Sequence, residues 1–215
     1  MATAGRFRPL GPGAPNLFEY GIMTCWPLEL RRASASDHDL RIIIRLIEDA
    51  ADWLRRTKDT DQWDQPWPSQ AGRDSRILAD LRRKKTWIGW DGATPAATNT
   101  IDGDHNPYWP ERWRSDPAVH VHRLVVDRPY AGEGLGAELL DWAGRTGRLR
   151  HGAAWLRVNA WTTNLQLHAY YERQGFALCG LSADHGYPSA AMFQKPIDRI
   201  PSNGRGLFIE ASAEG

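Results

Sequence analysis

Residues 119–136 bring chemistry-bearing side chains and accessible backbone close together in the chain. His120 and His122 alternate with Val119 and Val121, so on a strand both imidazoles point to one face, together with Leu124. An imidazole titrates near neutrality, which suits it to general acid–base work. The strand runs on through Val125 and Val126 into Ala131, Gly132, Glu133, Gly134, Leu135 and Gly136, where a helical pattern begins. Glycines let backbone N–H groups approach an anion closely, and a helix N-terminus adds partial positive charge, so this turn suits a phosphate. Two other phosphate loops fit less well. The P-loop needs a closing Gly-Lys-Ser/Thr, which is missing here. The dinucleotide fingerprint has Gly-x-Gly-x-x-Gly spacing in an early strand–helix–strand unit, whereas here the spacing is Gly-x-Gly-x-Gly and late.

A second segment decides between these readings. A strand over Trp155 to Asn159 leads to Asn164, Tyr171 follows seven residues later, and Gly175 and Phe176 close the helix that Asn164 begins. With the glycine turn upstream, this order resembles the GNAT (N-acetyltransferase) superfamily, and the likeness spans roughly Leu28 to Lys195. The resemblance implies an α/β fold with a mixed central sheet of about seven strands flanked by helices. It also implies an acyltransferase, in its simplest form an acetyltransferase. Such an enzyme moves an acyl group from acetyl-CoA, as co-substrate, to the amine of a small molecule by direct attack on the thioester. In that reading the backbone of Ala131, Gly132, Gly134, Leu135 and Gly136 cradles the pyrophosphate. Leu124, Val125 and Val126 splay from the next strand and offer N–H groups to the thioester carbonyl. Asn164 binds the pantetheine arm or orders the helix start, and Tyr171 stands near the sulfur as general acid.

Elementary chemistry agrees. Attack on a thioester builds negative charge on the carbonyl oxygen, which preorganised N–H groups stabilise. A thiol has a pKa of about 8.5, so a nearby proton donor helps its departure without being indispensable. An alkylammonium has a pKa of about 10.4 and must lose a proton first; His122 is the candidate base and His120 a candidate substrate contact. No metal is required.

Two departures from the superfamily pattern bear on the donor. Its loop usually begins with Arg or Gln and carries a base between the first two glycines; this chain has Ala131 and Glu133. An acid beside a pyrophosphate costs about 1 kcal/mol when exposed, and Arg128 is placed to compensate. A macromolecular donor, an acyl carrier protein or an aminoacyl-tRNA, therefore stands as the alternative, as does a non-catalytic binding module of the same fold. The basic runs Arg82 to Lys85 and Arg145 to Arg150 would serve a carrier protein or nucleic acid, against their plainer reading as solvated helix faces. The acceptor end is expected around Trp63, Trp67 and Tyr187, with Trp109 and Trp113 near its entrance. Asp61, Asp64, Asp102 or Asp104 would hold a cationic amine, unless these aromatics simply fill the core.

The elements that must position these groups alternate along the chain. A strand at Leu28 to Arg32 precedes two helices: one on the apolar spacing of Leu40, Ile43, Ile44, Ile47, Ala51 and Leu54, the other on Ile77, Leu78 and Leu81. Strands follow over Thr86–Trp90, Ala96–Ile101 and Ala118–Val126, then a helix to about Arg148, the strand at Trp155, a helix over Leu165–Gln174, and short strands over Phe176–Cys179 and Ala190–Gln194. The loop after Asp91 and Gly92 looks longer than two residues. The Gly- and Pro-rich residues 1–25 read as a flexible arm, 26–197 as a single domain, and 198–215 as a loose tail. With 215 residues, 25% charged, and a net charge of +1, the chain is sized for one core and lacks the basic excess of a general nucleic-acid binder. There is no apolar run long enough to span a membrane and no signal-peptide pattern, and Cys25 and Cys179 make neither a zinc spacing nor a disulfide framework. These features set the expectation of a cytoplasmic protein; a homodimer stays open.

Overall fold

The computed structural model describes residues 27–103, 106–113, 115–183 and 186–211. In chain order the elements are β1 (Leu28–Arg32), α1 (Asp37–Thr57), α2 (Gln70–Arg82), β2 (Thr86–Asp91), β3 (Thr94–Asp102), β4 (Ala118–Val126), α3 (Leu135–His151), β5 (Trp155–Ala160), α4 (Leu165–Arg173), β6 (Ala177–Leu181), β7 (Ala191–Pro196) and β8 (Phe208–Glu210). Local chemistry sets their limits. Ser36 caps α1 by accepting from the Asp39 N–H at 3.2 Å. Asp37 and Asp39 sit in its first turn and Arg55 and Arg56 in its last, so both ends complement the helix dipole. Its apolar spacing buries Ile43, Leu46, Ile47, Ala51 and Leu54. Ser69 caps α2 in the same way, through the Gly72 N–H at 3.1 Å.

The strands form one sheet in the order β6-β7-β5-β4-β3-β2-β1-β8. The β4–β5 and β1–β8 pairs are parallel and the others antiparallel, so the sheet is mixed. One core cluster joins the sheet to α3, with Val119, Val121, Leu139, Leu140, Ala143, Leu156, Val158 and Phe193. A second lies under α1 and α2, with Ile43, Leu46, Ile77, Leu81, Ile88 and Val125. Among the described residues no helix is long and apolar enough to cross a membrane.

Three expectations change. The sheet has eight strands rather than about seven. The extra strand is β8, inside the stretch read as a loose tail; Leu28, Glu29 and Leu30 pair with Phe208, Ile209 and Glu210. Three residues bounded by glycine and small residues are too few for a period-two pattern to register. The β2–β3 connection is a two-residue loop after all, because Asp91 pairs directly with Thr94 and Gly92 takes φ 59°.

The crossover helix α3 approaches β4 closely at Gly147, where an added Cβ would lie 2.4 Å from one Val119 methyl and 2.7 Å from the other. Gly147→Ala therefore overpacks this contact. The expected cost is about 1–3 kcal/mol, read as a fall of several degrees in Tm; an unchanged Tm would show that the helix can lift freely from the sheet.

Candidate active site

The site begins with an irregularity in β4. Thr98 of β3 pairs with Val125 and Thr100 with His122, so two steps on β3 face three on β4. The extra residue is a β-bulge, and Arg123 has φ 49°, in the left-handed region. The bulge reverses the strand's facing. Before it, Val119 and Val121 face the α3 side; after it, Leu124 and Val126 pack on that side while Val125 joins the α1/α2 cluster. Leu124 is thus not on the face of His120 and His122, as strict alternation predicts. Arg123 points the other way, where its guanidinium pairs with Asp80 of α2. A left-handed conformation at a non-glycine residue costs free energy and persists where its surroundings hold it, and this ion pair is one such restraint.

Past the bulge, β4 also leaves its parallel neighbour. Pairing with β5 runs from Ala118↔Trp155 to Val121↔Val158 and stops, while β5 continues against β7 through Asn159 and Ala160. The Asp127 N–H still donates to the Ala96 carbonyl of β3 at 2.8 Å. By alternation the N–H groups of Val126 and Leu124 point to the opposite, unpaired side. A cavity of about 1000 Å³ opens in the gap, lined by Leu124, Val125, Val126, Asn159 and Trp161 among others.

One end of the cavity is the glycine turn. A 3₁₀ turn, Arg128–Tyr130, leads through Ala131 to Gly132 (φ 92°) and to Gly134 (φ 84°), the N-cap of α3. Gly134 has no side chain to cap the helix, so the first N–H groups of α3 remain available to an anion. A Cβ on Gly132 would meet nothing within 4 Å. Ala131, Gly132, Gly134, Leu135 and Gly136 line the cavity, and the Glu133 side chain is not among its walls. Arg128, the expected compensating cation, stacks on Trp53 of α1 with 3.9 Å to the ring centroid.

In mid-cavity, Asn164 caps α4. Its Oδ1 accepts from the Leu167 N–H at 2.9 Å, and its Nδ2 donates to the buried Gln62 at 2.7 Å. It orders the helix start and ties α4 to the loop after α1. Tyr171 lines the cavity from a buried position against Tyr170, Phe176 and Phe193. Burial pushes its phenol well above the usual range, so the hydroxyl stays protonated. Tyr170, unremarked in the sequence beside Tyr171, also lines the cavity, and its hydroxyl lies 2.9 Å from where a Gly136 Cβ would be.

At the other end stand Trp63, Trp67, Tyr187 and His122. Trp67 meets Tyr187 edge-on at 5.2 Å, Tyr187 stacks on Tyr108 at 3.7 Å, and Arg76 of α2 lies over Trp67 at 4.5 Å. The His122 imidazole is lowered from 6.5 to about 4, first by burial and then by the Arg123 charge. His120 does not line the cavity. It is buried against the edge of Trp109 and the Asn106 amide, 3.4 Å away. Trp109 is also core: it donates to Asn159 at 2.8 Å, and the buried Arg157 lies over its ring and donates to the Trp113 carbonyl. The expected acidic wall is spent internally. Asp61 accepts from Trp161 and Thr163, Asp64 lies 3.6 Å from Arg55, and Asp102 accepts from Lys85 at 2.7 Å. Asp104 lies outside the described residues. The basic runs are partly spent too, with Lys85 on Asp102, Arg145 on Glu138 and Arg150 on Glu210. The lining residues that carried no sequence signal include Gln62, in a loop, and Arg205, in the stretch read as a tail.

Comparison with known proteins agrees with this geometry. Residues 45–176 match the acetyltransferase (GNAT) family. YesJ of Bacillus subtilis (strain 168), described as an uncharacterized N-acetyltransferase, is 28% identical over 162 residues, covering 74% of this chain and 86% of YesJ. A GNAT-family acetyltransferase of Listeria monocytogenes shares the fold with a TM-score of 0.63 at 20% identity, over 81% of this chain and 98% of that one. The PaiA N-acetyltransferase of Thermoplasma acidophilum, solved with coenzyme A, superposes with a TM-score of 0.60 at 15% identity, over 79% and 98% of the two chains. With its glycine turn, parted strands and Asn–Tyr helix, the chain belongs to the GNAT acetyltransferase family.

Proposed function

We propose that the protein is an N-acetyltransferase that transfers the acetyl group of acetyl-CoA to the amine of a small molecule. The observation that carries this reading is the cavity between β4 and β5. It joins an uncapped helix N-terminus at one end to unpaired strand N–H groups and a buried phenol in the middle. The residues fit the donor. The turn from Ala131 to Gly136 leaves room for a pyrophosphate where a Cβ on Gly132 would meet nothing. The coenzyme A bound in the PaiA relative supports the same choice.

Acetyl-CoA, when bound, supplies the acyl group as a thioester. The N–H groups of Leu124 and Val126 are directed at the side where the carbonyl oxygen would gain charge, and as fixed dipoles they need no reorganisation to stabilise it. Tyr171 holds its proton throughout the physiological range and donates a hydrogen bond to the departing sulfur. Its raised pKa makes it a poor source of a fully transferred proton, so its part is stabilisation of a thiolate that leaves readily by itself. His122, kept neutral, offers its imidazole lone pair to the amine of the acceptor, and Trp63, Trp67 and Tyr187 wall the acceptor end. Acids already committed to Trp161, Thr163, Arg55 and Lys85 offer little to a polycation. The side chains at this end favour a small amine.

The direct test is release of free thiol from acetyl-CoA with a panel of small amines; a folded protein that neither binds acetyl-CoA nor releases thiol refutes the proposal. Tyr171→Phe is expected to lower kcat by about 10- to 100-fold with donor affinity near normal. Unchanged kcat removes Tyr171 from the transfer step. The pH profile carries the sign of the His122 shift. An imidazole lowered from 6.5 to about 4 remains an uncharged acceptor down to acid pH. The acid limb of kcat/KM should therefore follow the acceptor's ammonium, with no inflection near pH 6.5. An inflection there that vanished in His122→Gln would show the imidazole to be unshifted.

A further inference from the structure

The glycine turn carries Glu133 and no basic residue, and Arg128, though it lines the cavity, is stacked on Trp53. A cation nonetheless reaches the turn from elsewhere in the chain. After β7 and a 3₁₀ turn at Ile197–Arg199, residues 201–207 cross the N-terminal part of α3 before β8 joins β1. Arg205 lies on this strap. Its Nη1 is 3.3 Å from where a Cβ on Gly134 would be, and the residue lines the cavity. Among the described residues its guanidinium has no carboxylate partner. Burial pushes the Tyr170 phenol across the turn up to about 12, and the Arg205 charge is the largest influence opposing that rise.

The strap is held from below by a group with no other evident task. Glu138 of α3 is 3% exposed. One carboxylate oxygen accepts from Arg145 at 3.0 Å and the other from the Arg205 backbone N–H at 2.8 Å. A buried carboxylate is costly unless its oxygens are satisfied, so Glu138 stabilises the strap's position as the strap satisfies it. Gly204 allows the approach, since a Cβ there would lie 2.4 Å from Glu138 Oε1. Leu207 completes the anchorage by packing with Leu28, Tyr130 and Leu135.

We propose that Arg205 is a donor-binding residue that grips the phosphates of a nucleotide-bearing thioester, with Glu138 as its positioning residue. The strap thus supplies from outside the turn the charge that Glu133 does not. This inference rests on the reading of the cavity as a coenzyme A site.

The test is the affinity of coenzyme A for the wild type and for Arg205→Ala, by calorimetry, with acetyl transfer from acetyl-CoA and from acetylpantetheine, which has no phosphate. Loss of one charge-assisted contact should weaken coenzyme A binding and raise the KM for acetyl-CoA by about 10- to 100-fold. The kcat at saturating donor, and kcat/KM for acetylpantetheine, should stay within about twofold, since neither depends on phosphate. Arg205→Lys, which keeps the charge without the fork, should recover part of the affinity. Unchanged coenzyme A affinity in Arg205→Ala overturns the inference and leaves the enzyme assignment standing. An equal loss with acetylpantetheine overturns it as well, because the residue would then act on the site's shape. Failure of the wild type to bind coenzyme A overturns the reading beneath it.

Discussion

A parallel strand pair satisfies its backbone groups only while the strands run alongside each other. β4 and β5 do so as far as Val121 and Val158, and the rest of the site follows from their separation. Leu124 and Val126 are left with N–H groups facing a gap, which in a closed sheet would be spent on a neighbour. The bulge at Arg123 adjusts the direction of the strand as it departs and turns Arg123 to the α1/α2 side, where it pairs with Asp80. Its unusual φ is held by the pair with Asp80, so a helix far away in sequence helps to set the shape of the cavity floor.

The two ends of the gap are finished by different physics. At the α3 end the work is done by backbone: a left-handed Gly134, a helix without a capping side chain, and open space at Gly132. At the α1/α2 end side chains prevail, with aromatic rings packed on one another and a cation laid on Trp67. Asn164 and Gln62 join the two regimes, because one amide both starts α4 and ties down the loop that carries Trp63 and Trp67. Backbone recognition tolerates little change in geometry, whereas rings can be exchanged singly, so the α1/α2 end is the freer of the two to vary.

Much of this was legible in the sequence because it rests on short-range patterns. The alternation of strands and helices and the glycine turn each depend on neighbours within a few residues, and the roles expected of Asn164 and Tyr171 came with the family resemblance. What escaped depends on contacts between distant segments. The bulge at Arg123 has no glycine to mark it, so simple alternation put Leu124 on the wrong face. His120 and Trp109 looked like site residues and instead pack against one another, beside an Arg157 that Gln194, Asp116 and the Trp113 carbonyl satisfy. Of the acids read as a cationic-amine wall, Asp61, Asp64 and Asp102 are occupied by other side chains, and for Asp61 these lie about 100 residues away, at Trp161 and Thr163.

The strap over α3 lies beyond the residues that match the family, which end at 176. It rests on the sheet edge through β8 and on α3 from Gly134 to Arg145. Substitutions in this short segment can therefore change what lies over the glycine turn while the strands that line the cavity keep their pairing.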